Sequence, residues 1–94
     1  MHVRVVRFTG VDQQRIDAIR NRVDEEGGPP EGVKSTGLQV LLDESQGTAV
    51  VLQLFETAED MEEGAKVFAA MDPSDTPGTR ASVDMCEVAI DVHA

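Results

Sequence analysis

The sequence predicts an α+β fold of βαββαβ order, a four-stranded antiparallel sheet with both helices on one face. Three observations predict it. β-Branched, alternating stretches recur at 2–9, 33–42, 48–56 and 80–93. Apolar residues at helical spacing fill the two long gaps between them, at 11–26 and 57–71. The two halves also resemble each other. Phe8-Thr9 precedes Asp12 and Phe55-Glu56-Thr57 precedes Asp60, each where a strand hands over to a helix. From Phe8 to the next strand start, Val33, is 25 residues, and from Phe55 to Ala81 is 26. Two βαβ halves of this kind make a split-βαβ, ferredoxin-like sheet, whose right-handed crossovers place both helices on the same side.

Each element has its own justification. HVRVVRFT (2–9) is β-branched and alternates well enough for a strand. VDQQRIDAIRNRVDEE (11–26) sets Ile16, Ile19 and Val23 on one helical face, with arginines and acids elsewhere. GGPPEG (27–32) ends that helix. VKSTGLQVLL (33–42) reads as the second strand, DESQG (43–47) as a hairpin turn, and TAVVLQLFE (48–56) as the third strand. TAEDMEEGAKVFAAM (57–71) is a helix with Met61, Ala65 and Phe68 on one face. DPSDTPGT (72–79) breaks it, and RASVDMCEVAIDVH (80–93) is a long last strand. In both halves a threonine stands three residues before an aspartate, the shape of a capping box.

The acids of TAEDMEE raise the question of a metal or acid–base site. Thr57 as N-cap leaves Glu59, Asp60, Glu62 and Glu63 in the first two helical turns, where carboxylates oppose the positive end of the helix dipole. Glu59 and Glu63 are one turn apart and could share a cation, yet hard cations take oxygen ligands wrapped by a loop, and no histidine lies nearby. The cluster reads as a helix start. No metal and no cofactor is expected.

Composition narrows the partners. Eight Lys and Arg against 18 Asp and Glu give a formal net charge of −10. Phosphate backbones and anionic membranes need a basic patch, so neither nucleic acid nor a membrane surface is expected as a partner. The opening MHVRVVRFTG has arginines where a signal peptide needs an unbroken apolar core. AVVL and VFAAM, the longest apolar runs, fall far short of a bilayer span. A cytoplasmic protein is expected. Its 94 residues make one domain, 1–94, that buries roughly 60–65% of its unfolded surface, so an oligomer would be no surprise.

The strand patterns bear on that oligomer. Val50, Leu52 and Leu54, with Leu38, Val40 and Leu42 and with Cys86, Val88, Ile90 and Val92, are assigned to the helix-covered side. Cys86, the only cysteine, is then a buried structural thiol. Opposite stand Gln39 and Leu41, Val51, Gln53 and Phe55, and Val83, Met85, Glu87 and Ala89, a face too apolar to stay wet. A homodimer through the face bearing Gln39, Gln53 and Glu87 would bury it, with Arg4 a candidate partner for Glu87 in a polar layer.

Candidate ligand contacts are few. Arg7, at the end of the first strand, could clamp an acidic or phenolate ligand; the simpler reading is a salt bridge to Asp12 or Glu56. Met61, Phe68 and Met71 could line an apolar cleft or serve only as core. His2 and His93, near the two termini, could meet as a switch or a metal pair, against the simpler reading that both are solvated. DPSDTPGT could act as a lid or be a plain connection. The chain has no G-x-S-x-G elbow, no G-x-G-x-x-G and no P-loop, which removes the sequence support for triad hydrolysis and standard phosphate cradles.

With HVRVVRFTG at its start, PPEGV before the second strand and LFETAEDMEEG at the second helix, the chain resembles the antibiotic-biosynthesis-monooxygenase-like group of the dimeric α/β-barrel superfamily. The resemblance covers nearly the whole chain and describes a scaffold. It implies a paired barrel and a ligand cleft between helices and sheet, with Arg7, Met61 and Phe68 as cleft candidates. Members include cofactor-independent oxygenases acting on phenols or quinols, and haem-degrading enzymes. The latter use an Asn near the end of the first strand, a Trp in the second helix and a His beyond it. Here that first region holds Arg7 and Phe8, no Trp or Tyr occurs, and Asn21, the one Asn, falls in a helix. The function implied is therefore a small soluble protein binding a small apolar or aromatic ligand. The alternative is a cofactor-independent monooxygenase acting on a phenolic or quinol-type substrate.

Overall fold

The computed structural model describes residues 1–28, 32–70 and 77–93. Its elements run β1 (His2–Thr9), α1 (Gln13–Glu26), β2 (Gly37–Asp43), β3 (Thr48–Phe55), α2 (Ala58–Ala69) and β4 (Thr79–Glu87). All pairings are antiparallel, in the spatial order β2-β3-β1-β4. This is the expected α+β, ferredoxin-like sheet. No helix of the described residues is long and apolar enough to cross a membrane.

Local chemistry accounts for the boundaries. Asp12 caps α1, its carboxylate accepting from the Arg15 amide at 2.8 Å. Thr9 is still in the strand, so the capping-box reading of Thr9 and Asp12 is corrected: the aspartate is itself the cap. Gly27 ends α1 in the left-handed conformation at φ 68°, with its amide bonded to the Val23 carbonyl. In α2 the expected cap holds, Thr57 Oγ1 accepting from the Asp60 amide at 3.0 Å, with Glu59 and Asp60 in the first turn. The hairpin between β2 and β3 is tied by Asp43, which accepts from the Ser45 hydroxyl at 2.6 Å and from Gln46 Nε2 at 2.6 Å. Two strands are shorter than their patterns predict. β2 starts at Gly37 because Ser35 folds its hydroxyl onto the Gly37 and Leu54 carbonyls. β4 ends at Glu87, and beyond the bond from the Val88 amide to the Met1 carbonyl the tail runs exposed.

The register decides the faces. β1 sets Arg4 opposite Gln53, Val6 opposite Val51 and Phe8 opposite Ala49, while β2 sets Leu38 opposite Gln53 and Val40 opposite Val51. Arg4, Val6, Phe8, Ala49, Gln53 and Phe55 are buried beneath the helices. The centre of this core is Phe55, wholly buried against Val33 and Met61, with Val67 and Phe68 packed alongside. Gly64 lets α2 come that close: a Cβ there would stand 2.9 Å from two carbons of the Phe55 ring.

Three expectations about the faces are corrected. In β3 the helix-covered side is Val51, Gln53 and Phe55, and the open side is Val50, Leu52 and Leu54, the reverse of the reading from apolarity. In β4, Val83, Met85 and Glu87 share the helices' side through their pairing with Val6, Arg4 and His2, while Cys86 pairs with Val3 on the open side and is exposed. Gln39 therefore stands on the opposite face from Gln53 and Glu87, so these three form no common polar layer. Arg4 meets Gln53, and its cross-strand neighbour on β4 is Met85.

Candidate functional site

α2 packs closely on β1 and β3, whereas α1 buries only Ile16 and stands off the sheet. The space left is a cavity of about 390 Å³. Val6, Phe8, Val40 and Val51 form its floor, and Ile19 and Val23 of α1 its roof. Phe68 closes one side.

Within this apolar setting sits a buried guanidinium. Arg4 is 5% exposed, and its Nη1 donates to Gln53 Oε1 at 2.9 Å. Its Cζ lies 5.3 Å from the centroid of the Phe68 ring, within cation–π range. Nε has no hydrogen-bond partner among the described residues, and no carboxylate there pairs with the side chain. Burial holds the pKa of Arg4 below the ordinary arginine range, and the charge of Arg80 lowers it further.

Arg80 reaches the site through an irregularity. Along β1 and β4, Arg7 pairs with Ser82, but Phe8 pairs with Arg80, so one residue is inserted between them. An uninterrupted strand would point Arg80 to the open face. The bulge turns it to the side of Arg4, Val6 and Phe8, where it lines the cavity. Arg22 and Glu26 of α1 line it as well, Glu26 being the one carboxylate of the wall among the described residues.

Of the residues singled out in the sequence, Phe68 lines the cavity, whereas Met61 lies in the core beneath α2 and Arg7 is exposed on the open face, between Val50 and Ser82. Neither Asp12 nor Glu56 forms an ion pair with Arg7. His93 contacts Asp91 at 3.1 Å and His2 lies across from Glu87, so the two histidines do not meet. Glu63 of the acidic run pairs with Lys66 at 3.6 Å. Among the described residues no group of three or more His, Cys, Asp or Glu is placed to hold a metal. Met71 and most of DPSDTPGT, the lid candidate, lie outside the described residues, as does the PPE of GGPPEG. Arg4, Gln53 and Arg80 were not anticipated as a ligand site. The available signal was parity: Arg4 shares a side with Val6 and Phe8, and Arg7 does not.

No protein-family model matches the sequence, and no curated protein matches it. Among solved structures, the chain is similar to a crystallised mutant of MhuD with two manganese protoporphyrin IX bound per active site. The TM-score is 0.61 and the identity 17%, over 100% of both chains. At that identity the likeness shows a common fold, the βαββαβ architecture that the strand order and register establish independently.

Proposed function

We propose that residues 1–94 form a single small-ligand-binding domain of the antibiotic-biosynthesis-monooxygenase-like type, acting as a homodimer. The observation that carries the ligand reading is the cavity of about 390 Å³ between α1, α2 and the sheet. Its size is in the range of small-molecule sites, and its walls combine aliphatic and aromatic side chains with a few polar groups. A small apolar or aromatic molecule fits that chemistry, with Phe68 as the aromatic wall. The MhuD structure of the same fold carries porphyrin ligands in its active site, which supports a pocket in this architecture.

The dimer reading rests on the open face. Val3, Val5, Val50, Leu52 and Leu54 make an apolar centre on β1 and β3, flanked by Gln39 and Asp43 on β2 and by Ser82 and Asp84 on β4. An apolar centre with a polar rim is the anatomy of an interface, and a twofold axis through it lets one face cover another. Equilibrium dialysis against a panel of naphthalene- and phenol-type compounds tests the cavity, and sedimentation at tens of micromolar tests the pairing. Binding to no member of the panel would remove the ligand reading; a monomer would remove the dimer. Oxygen uptake with phenols and hydroquinones decides the monooxygenase alternative.

A further inference from the structure

We infer that the cavity takes an amphipathic anion, a carboxylate or phenolate on an apolar body, with its charged end held inward by Arg4 and Arg80. The inference rests on the ligand-binding reading above and names the class of ligand.

A buried guanidinium is costly. Arginine stays protonated in proteins, and a buried charge is ordinarily paired or fully hydrogen-bonded. Arg4 is 5% exposed, yet among the described residues its one hydrogen bond runs to a neutral amide and its Nε has no partner. The ring of Phe68 offsets only part of this. An orphaned buried donor calls for an explanation, and a ligand group is one of the few available.

The bulge adds a second, independent observation. By inserting one residue in β4 it turns Arg80 toward Arg4, so that like charges face one cavity and each opposes the other. The chain holds only eight basic residues against 18 acidic ones. Even so, Arg4 and Arg80 both line this cavity, and among the described residues Glu26, an exposed residue at the end of α1, is the one acid of its wall. An anion between Arg4 and Arg80 would relieve both the unpaired donor and the repulsion. Val6, Phe8, Ile19, Val23 and Phe68, which also line the wall, are suited to an apolar body.

The test compares 1-naphthoate with its neutral counterpart 1-naphthylmethanol by titration calorimetry on the intact protein. Naphthoate is expected to bind at least about tenfold tighter, roughly 1.4 kcal/mol. Arg4→Met should abolish that preference while naphthylmethanol still binds. Arg80→Gln, on the exposed edge strand, should reduce the preference without endangering the fold, and serves alone if Arg4→Met does not fold. Equal binding of the two compounds by the unaltered protein would overturn the anion site and leave the apolar cavity standing. A preference that survives both substitutions would also overturn it. Binding of neither compound would overturn the ligand reading along with it.

Discussion

Arg4 and Gln53 face each other on adjacent strands beneath α2, and the Gln53 side-chain oxygen is the single hydrogen-bond acceptor that Arg4 finds among the described residues. Both are buried, at 5% and 6% exposure. The pair is thus a polar island in an apolar layer, in which the Gln53 oxygen is engaged by the contact whereas Arg4 Nε has no partner among the described residues. Removing the acceptor should therefore cost more than removing both partners. Gln53→Leu is expected to destabilise by about 1–3 kcal/mol, because a charged donor loses its partner. Arg4→Met combined with Gln53→Leu should restore most of that loss, since an apolar pair of similar volume carries no desolvation penalty. Urea unfolding of the two single variants and the double variant measures the coupling.

Close approach of α2 to β3 gives a second prediction. Gly64 sits against the ring of Phe55, where a Cβ would be 2.9 Å from two ring carbons. Phe55 is wholly enclosed and cannot swing aside. Gly64→Ala should cost about 1–3 kcal/mol by overpacking, despite the better helix propensity of alanine. Adding Phe55→Leu should recover part of it. Thermal unfolding of both variants decides the matter.

Helix caps are a third case. Thr57 and Asp12 each accept one first-turn amide. Their alanine variants should each lose on the order of 1 kcal/mol. In α2, first-turn Glu59 and Asp60 keep their favourable interaction with the helix dipole, whereas α1 has no acid in its first turn. Helix content should fall further on heating in the Asp12→Ala variant than in the Thr57→Ala variant, as read by circular dichroism.

The proposed dimerisation through the open face makes a fourth prediction. Leu41 is 51% exposed on that face of β2. Leu41→Lys should convert a dimer to a monomer in sedimentation at tens of micromolar, leaving the far-ultraviolet spectrum unchanged. A dimer that survives it would place the interface elsewhere.

The hairpin turn responds to acid. Hydrogen bonds from Ser45 and Gln46 hold the Asp43 carboxyl below the ordinary aspartate range near 3.8. A depressed native pKa means that the unfolded state binds the proton first as pH falls. The stabilisation is therefore fully present above the ordinary range and is lost as pH drops through the lowered native value. Asp43→Ala should flatten the stability profile in that acid window and leave its shape near neutrality unchanged.

Much of this molecule is local. The strand at 2–9, the hairpin at 43–47, the cap at Thr57 and the order βαββαβ follow from alternation, turn residues and helical spacing, all properties of neighbours in the chain. The cap of α1 was misread: Thr9, the cap of the capping-box pattern, belongs to the strand ladder, and Asp12, three residues on, caps the helix. What alternation does not contain is which side of each strand the helices cover. Val50, Leu52 and Leu54 are more apolar than Val51, Gln53 and Phe55, yet they face outward, because pairing with β1 puts Gln53 opposite Arg4 and Phe55 beneath Gly64. Two apolar faces leave a period of two without a direction. For the same reason Cys86 lies exposed, while Gln39 and Gln53 part company. The site depends on tertiary structure still more strongly. Arg4 was visible as an arginine in a strand, but its lack of a carboxylate partner and the bulge that turns Arg80 toward it are facts of register, fixed only when β4 pairs with β1. Sequence settled the elements and their order; the pairing of strands and the helix packed on them settled which charges were buried, and where.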